Sequence, residues 1–246
     1  MNSKIYIHEF IDIIGHNRAR YMHHMTANWC PVGRAERNML CFGVWATVGS
    51  TGRWPEVVNM WELDGWDALA ANFEHEFSGG GTQDTSLADW WAAASELRRG
   101  GVDRIVVPEP WSPTIEELNA DGTRGAVYAH ELVTVPPGGI RAFLDALGEA
   151  GRATVEAHGA TLVGAFRVAM RNDTEAVVIW AFPSWPVWAS FERAWDDGAL
   201  GGWRPRLVSL GADVQRILLV DAPLGPLRIG RQPEVSDRRP LSEITR

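Results

Sequence analysis

This sequence predicts an α+β fold made of two fused β-α-β-β-α-β repeats, and three observations lead there. The first is the recurrence of "IYIHEFIDIIG", Ile5 to Gly15, as "VYAHELVTVPPG", Val127 to Gly138. Tyr6, His8 and Glu9 align with Tyr128, His130 and Glu131 at a constant offset (130 − 8 = 131 − 9 = 122). The second is that "EVVNMWELDGW" from Glu56 aligns without a gap to "EAVVIWAFPSW" from Glu175, with Trp61 over Trp180 and Trp66 over Trp185. The third is that strand-like and helix-like stretches follow one another in the same order in both halves.

Each element has its own signal. The opening strands alternate, with Tyr6, His8 and Phe10 on one face and Ile5, Ile7, Glu9 and Ile11 on the other. A helix follows in each half: Tyr21, Met22, Met25 and Trp29 in the first; Ile140, Phe143, Leu144 and Leu147 in the second. Next come the strands "FGVWATV" from Phe42 and "VGAFRVA" from Val163, with Gly43 over Gly164 and Trp45 over Phe166. Turn-forming "GSTGRWP" and "RNDT" lead into the third strands. A second helix carries Phe73 to Phe77 in one half and Phe191 to Trp195 in the other. The closing strands "DRIVVPEP" and "VQRILLVDAP" align with Arg104 over Arg216.

This order is the split β-α-β, or ferredoxin-like, unit. A single such sheet has a naked face, and two can cover each other, so the expected architecture is a pseudo-two-fold α/β barrel with helices outside. The predicted divisions are residues 1–107 for the first repeat, 108–125 for a linker and 126–221 for the second repeat. Thr114 to Asn119 is a short helical turn within the linker, and 222–246 is a polar tail, either loose or laid across a partner subunit.

Composition excludes several classes of partner. The 246 residues carry a net charge of −8 with no Lys/Arg run, which disfavours nucleic acid and anionic membrane surfaces. No apolar run reaches the ~18 residues of a membrane span. "MNSKIYIHEF" lacks the basic start and apolar stretch of a signal peptide, so a cytoplasmic protein is expected. Cys30 and Cys41 are too few for a disulfide framework and read as free thiols.

The doubled unit resembles the dimeric α/β-barrel superfamily. The opening of the second repeat is similar to the NIPSNAP family, whose first strand runs hydrophobic-Tyr-Glu-x-Arg-x-Tyr and ends in Pro-Gly. Tyr128, Thr134, Val135, Pro137 and Gly138 fit, as do Tyr6 and Gly15 in the first repeat. Ala129, Glu131 and Val133 depart from that pattern. The superfamily resemblance implies a pocket between a sheet and its own helices. It also implies chemistry ranging from cofactor-free monooxygenases and isomerases to simple binding proteins.

Comparing the repeats nominates site residues. Asn59 stands where the second repeat has Val178, and Glu62 where it has Ala181. A buried amide costs roughly 1–3 kcal/mol unless paired, so Asn59 requires a partner. In the first helix Tyr21, His24, Met25 and Asn28 share a stripe, while His23 and Arg20 are expected to point outward. An imidazole suits general acid/base work. Glu9, on an aliphatic face, must be paired or have a raised pKa. The presence of His8 and Glu9 in both repeats suits a symmetric structural pair as well as catalysis.

The catalytic candidates are therefore His8, Glu9, His24 and Asn59. Thirteen Trp supply walls for a flat apolar ligand. The substrate-binding candidates are Tyr21, Trp45, Trp61, Glu62, Trp66 and Phe73. "SGGGTQD", Ser78 to Asp84, reads as a flexible lid.

No metal or cofactor is expected. There is no ligand spacing, nucleotide loop or nucleophile elbow, and His75 falls off the stripe of Trp66, Leu69, Ala70, Phe73 and Phe77 that a heme would use. The expected function is a cofactor-independent enzyme of the isomerase, lyase or monooxygenase type. It would act on a small apolar metabolite (aromatic, terpenoid or steroid-like) by histidine-carboxylate chemistry. The alternative is a non-catalytic small-molecule-binding or scaffolding protein of the NIPSNAP type, and the tail leaves a homodimer open.

Overall fold

A computed structural model describes residues 1–77 and 87–245. The expected lid at Ser78 to Asp84 lies outside the described residues. Eight strands close into an antiparallel barrel: β1 (Ile5–Ile13), β2 (Leu40–Thr47), β3 (Glu56–Leu63), β4 (Arg98–Pro108), β5 (Val127–Thr134), β6 (Thr161–Val168), β7 (Glu175–Phe182) and β8 (Asp213–Asp221). Round the barrel they run β1-β3-β2-β8-β5-β7-β6-β4. Each half therefore has the lateral order fourth-first-third-second, and the halves join where β2 pairs with β8 and β4 with β6. The fold is an α+β eight-stranded antiparallel barrel.

Closure buries both faces of most strands, and the period of two decides which residue goes where. Tyr6, Phe10, Trp45, Met60, Tyr128, Phe166 and Ile179 fill the barrel interior. Ile5, Ile11, Val44, Val57 and Leu63 face the helices of the first half. Ala129, Val133, Val178, Trp180 and Leu218 face those of the second. Glycine makes room at one paired position. A Cβ on Gly43 would lie 1.9 Å from the Trp45 ring, and one on Gly164 would lie 2.4 Å from Phe166. Both glycines follow a bulge in the strand, at Cys41/Gly43 and Leu162/Gly164.

The first-half helices are α1 (Arg18–His23), a π-helical turn (His24–Trp29), α2 (Cys30–Arg37), α3 (Gly65–Phe77) and α4 (Ala88–Ser95). Pro31, in the first turn of α2, has no N–H to donate back to the π turn. Arg238 donates there instead, from Nε to the Ala27 carbonyl at 3.2 Å and from Nη2 to that of Asn28 at 3.3 Å. The linker helix α5 (Ile115–Ala120) starts in a capping box of Thr114 and Glu117. The second half contributes α6 (Ile140–Ala146), a π turn (Leu147–Gly151), α7 (Arg152–Glu156), α8 (Trp185–Asp196) and α9 (Trp203–Ser209), and α10 (Pro226–Ile229) opens the tail.

The tail is not loose. It crosses the first half of its own chain, where the Gln232 side chain brackets Cys41 by accepting from its N–H at 3.0 Å and donating to its carbonyl at 2.8 Å. The Arg239 N–H donates to Nε2 of His23 at 3.1 Å. His23 is thereby buried under the tail, contrary to the outward orientation expected from helical spacing. No helix among the described residues is long and apolar enough to cross a membrane.

His8 and His130 meet inside the barrel, Nε2 of one 3.3 Å from Nδ1 of the other. Neither has any solvent exposure. Burial pushes His8 down to about 3 and lowers His130 well below the ordinary imidazole value. Both rings stay neutral when folded and take up protons when unfolded below about pH 6.5. Their stabilising share is thus present above 6.5 and lost as pH falls. The paired substitution His8→Leu with His130→Leu should flatten the acid side of a Tm-against-pH curve. His130→Leu alone should cost roughly 1–3 kcal/mol by stranding a ring nitrogen of His8. A single variant as stable as the pair would show that the two rings are not coupled.

Candidate functional site

The site begins with one row across three strands. Glu9 on β1 stands opposite Asn59 on β3 and Asp103 on β4. The corresponding row in the second half is Glu131 with Val178 on β7 and Arg216 on β8. Arg104 is therefore not the counterpart of Arg216. It pairs with His8, one position along, while Asp103 occupies Arg216's place. The glutamate is the same in both rows, and its neighbour has opposite charge.

Glu9 is partly buried, and its Oε2 accepts from the Trp61 indole N–H at 2.7 Å and from Asn59 Nδ2 at 3.0 Å. Asn59 Nδ2 also lies 2.9 Å from the Tyr21 hydroxyl, to which it donates. The Asn59 partner required by the sequence is thus this Glu9–Tyr21 pair. Burial above all, then the charge of Asp103, pushes Glu9 up to about 7, against the opposing pull of Trp61, Asn59 and Arg98. Burial likewise raises Tyr21 above the usual phenol value. Because the Tyr21 oxygen accepts from Asn59, its own O–H is available to the space in front of it.

That space is a cavity of about 410 Å³ between the sheet and α1–α4. Glu9 and Trp61 lie on its sheet side, and Tyr21, Trp29, Trp90 and Trp91 on its helix side. Phe73 and Phe77 of α3 also reach it. Arg37 enters the lining but is tied to Glu76 at 3.0 Å. Arg98 lies over the Trp91 ring, 5.5 Å from its centroid. Asp103 sits exposed at the mouth.

Of the residues nominated from sequence, the structure brings together Glu9, Asn59, Tyr21, Trp61 and Phe73. His24 lies one layer back, behind the cavity wall. It stacks on Trp90 at 4.8 Å, with Nε2 3.3 Å from the Trp90 carbonyl and Nδ1 3.0 Å from Asn28 Nδ2. Burial lowers its pKa, so it holds Trp90 as a neutral ring.

Four candidates fall elsewhere. His8 is in the barrel interior, and so is Trp45, whose ring meets His130 edge-on at 4.9 Å. Glu62 points to the barrel's end, where its Oε2 accepts from the Tyr6 hydroxyl and the Ile115 N–H, each at 2.9 Å. It anchors the linker helix. Trp66, near the start of α3, is 48% exposed and does not line the cavity. Barrel closure turns His8 and Trp45 inward, and Trp66 does not follow Phe73 and Phe77, the helix-stripe partners expected for it, into the cavity.

Asp103 and Arg98 are the residues that sequence reading missed. Aligning the closing strands on their shared arginine hid the Asp103-for-Arg216 exchange by one position. Alternation from Val106, whose side chain is in the barrel interior, would have placed Asp103 with Ile105 on the helix face. Among the described residues no cluster of His, Cys, Asp or Glu could hold a metal ion.

No family model and no curated protein matches this chain. Solved structures do match, across nearly its whole length. An anthrone oxidase-like protein superposes with a TM-score of 0.57 at 11% identity, covering 89% of this chain and 92% of its own. A "putative monooxygenase" from Fusobacterium nucleatum gives 0.55 at 10% identity, with 89% and 93% covered. A variant chlorite dismutase of Candidatus Nitrospira defluvii in complex with cyanide gives 0.52 at 9% identity, with 94% and 95% covered. At such identities the likeness is one of fold alone.

Asn59 links the site to stability. Asn59→Val deprives ionised Glu9 of a charge-assisted hydrogen bond worth roughly 1.5–3 kcal/mol. Glu9 is raised to about 7, so the bond counts fully above that pH and fades as Glu9 takes up its proton below it. The expected result is a Tm loss of roughly 3–10 °C at pH 8 and a clearly smaller one at pH 5.5. An equal loss at both values would separate Asn59 from the ionisation of Glu9.

Proposed function

We propose that this chain is a small-molecule enzyme in which Glu9 acts as general base on a flat, largely apolar substrate held in the first-half cavity. One observation carries the reading: a carboxylate raised to about 7 opens onto a cavity walled by indoles and phenyl rings. A base poised there takes a proton at neutral pH and is still half available as the free carboxylate. Trp61 and Asn59 hold Glu9 in place, leaving Oε1 for the substrate. The Tyr21 O–H is positioned as donor to an oxygen on which charge develops. His24 serves as a positioning residue behind Trp90.

Proton abstraction would open an isomerisation, an elimination or an oxygenation without a cofactor. The names of the anthrone oxidase-like and monooxygenase neighbours favour the last. For a methylene between aromatic rings, the balance is CH2 + O2 → C=O + H2O, with dioxygen as the oxidant. Glu9 takes the first proton and returns it as oxygen is reduced. We further read the two halves as copies of one β-α-β-β-α-β unit. Their common strand order, paired glycine bulges and matching π turns support this.

Oxygen uptake and product formation with a panel of anthrone-type phenolic ketones test the reading. Glu9→Gln should lower kcat roughly 10²–10⁴-fold while the fold persists. In the native protein kcat/KM should rise with pH and reach half its plateau near 7, where Glu9 loses its proton. Turnover that survives Glu9→Gln would remove Glu9 from the mechanism. Tight ligand binding with no turnover would instead assign the non-catalytic role that the NIPSNAP resemblance implies.

A further inference from the structure

The second half holds, at the place corresponding to the cavity, a group that the first half lacks. Arg216 donates from Nε and Nη2 to Glu131 Oε1 at 3.0 and 2.7 Å. Its Nη1 donates to the two carboxylate oxygens of Glu192 at 3.0 and 2.8 Å. The guanidinium also lies over Phe191 and Trp195, 4.9 and 4.6 Å from their centroids. A planar cation is thus seated among two carboxylates and two aromatic rings. Trp203 helps to close the rest of that half by packing so near α7 that a Cβ on Gly151 would come within 2.7 Å of it.

The first half keeps part of that receptor, without a counterpart of Glu192 in the cavity lining, and has no arginine at the Arg216 position. Glu9 stands in the place of Glu131, and Trp61 holds it as Trp180 holds Glu131 at 2.9 Å. Phe73 and Phe77 on α3 have the spacing of Phe191 and Trp195 on α8, and both line the cavity. At the register position of Arg216 stands Asp103, a second acid. Arg37 is tied to Glu76, and Arg104 lies 3.8 Å from Glu175. Arg98 acts on both Glu9 and Asp103, and Arg104 acts on Asp103 as well. Where Arg216 donates directly to Glu131, no guanidinium among the described residues donates to Glu9, whose partners are Trp61 and Asn59.

We infer that the cavity takes a ligand bearing a planar, delocalised cationic group of the amidinium, guanidinium or protonated N-heterocycle class, seated between Glu9 and Asp103 and stacked on Phe73 and Phe77. Charge-assisted N–H bonds to the two acids give such a group its orientation, and the ring faces add cation–π attraction. The inference rests on the cavity being the substrate site, and it adds a cationic substituent to the flat, otherwise apolar body proposed for the substrate.

Benzamidinium, benzamide and benzoate share one shape and differ in charge, so calorimetric titration of each into the full chain at pH 8 is the test. Benzamidinium should bind at least about tenfold more tightly than either isostere. Asp103→Asn should weaken it about tenfold, the loss of one charged partner. Asp103→Arg copies the second half and should abolish probe binding while raising Tm; if that variant does not fold, Asp103→Asn decides alone. Equal affinity for the three probes, no binding of benzamidinium, or unaltered binding in the Asp103 variants would each overturn the inference. The two readings fail separately. Turnover lost in Glu9→Gln without a preference for the cation keeps the base and removes the cation site, and a preference for the cation with turnover intact does the reverse.

Discussion

Barrel closure is the constraint from which the rest of this molecule follows. Once eight strands close, alternate residues on each strand face either the interior or the helices. A polar side chain must find its partner on the side where alternation puts it. On β1 this separates His8 from Glu9 completely. His8 goes inward to His130, while Glu9 goes outward to Asn59, Trp61 and the cavity. Adjacent residues in the chain thereby acquire unrelated chemistry, one imidazole kept neutral and one carboxylate raised to neutrality.

The two halves solve the same electrostatic problem in opposite ways. Each has a glutamate held by an indole N–H on the helix side of its first strand. In the second half a guanidinium neutralises it, rings cover the guanidinium, and large side chains occupy the remaining space. In the first half an aspartate replaces the guanidinium, and about 410 Å³ remains open. Burial first, and then the charge of Asp103, raise Glu9 to about 7 beside that open space.

The tail and the first helix show a further dependence. A π turn separates α1 from α2, and the Ala27 and Asn28 carbonyls at its end accept from Arg238, some two hundred residues along the chain. The same stretch carries Tyr21 and His24 toward the sheet and toward Trp90. The helix that forms the cavity's roof is therefore clamped from outside by the tail and from inside by Asn59. Its position is a property of the whole chain rather than of local helix propensity.

The sequence by itself determined the chain order of the eight strands, the correspondence of Tyr6-His8-Glu9 with Tyr128-His130-Glu131, and the division of β1 into two faces. These are local or repeated signals, set by side-chain period and by turn chemistry. It also pointed to Asn59 and Glu9 as polar groups in need of partners, because burying either alone is costly whatever the fold. Tertiary structure decided which face looked onto open space. Trp45 and Trp61 sit on strands of similar pattern, yet one fills the interior and the other borders the cavity. Strand register decided that Asp103 rather than Arg104 stands beside Glu9, since a shift of one residue moves every side chain to the opposite face. The tail's course over His23 was decided by backbone partners more than two hundred residues away, which no local pattern in the sequence encodes.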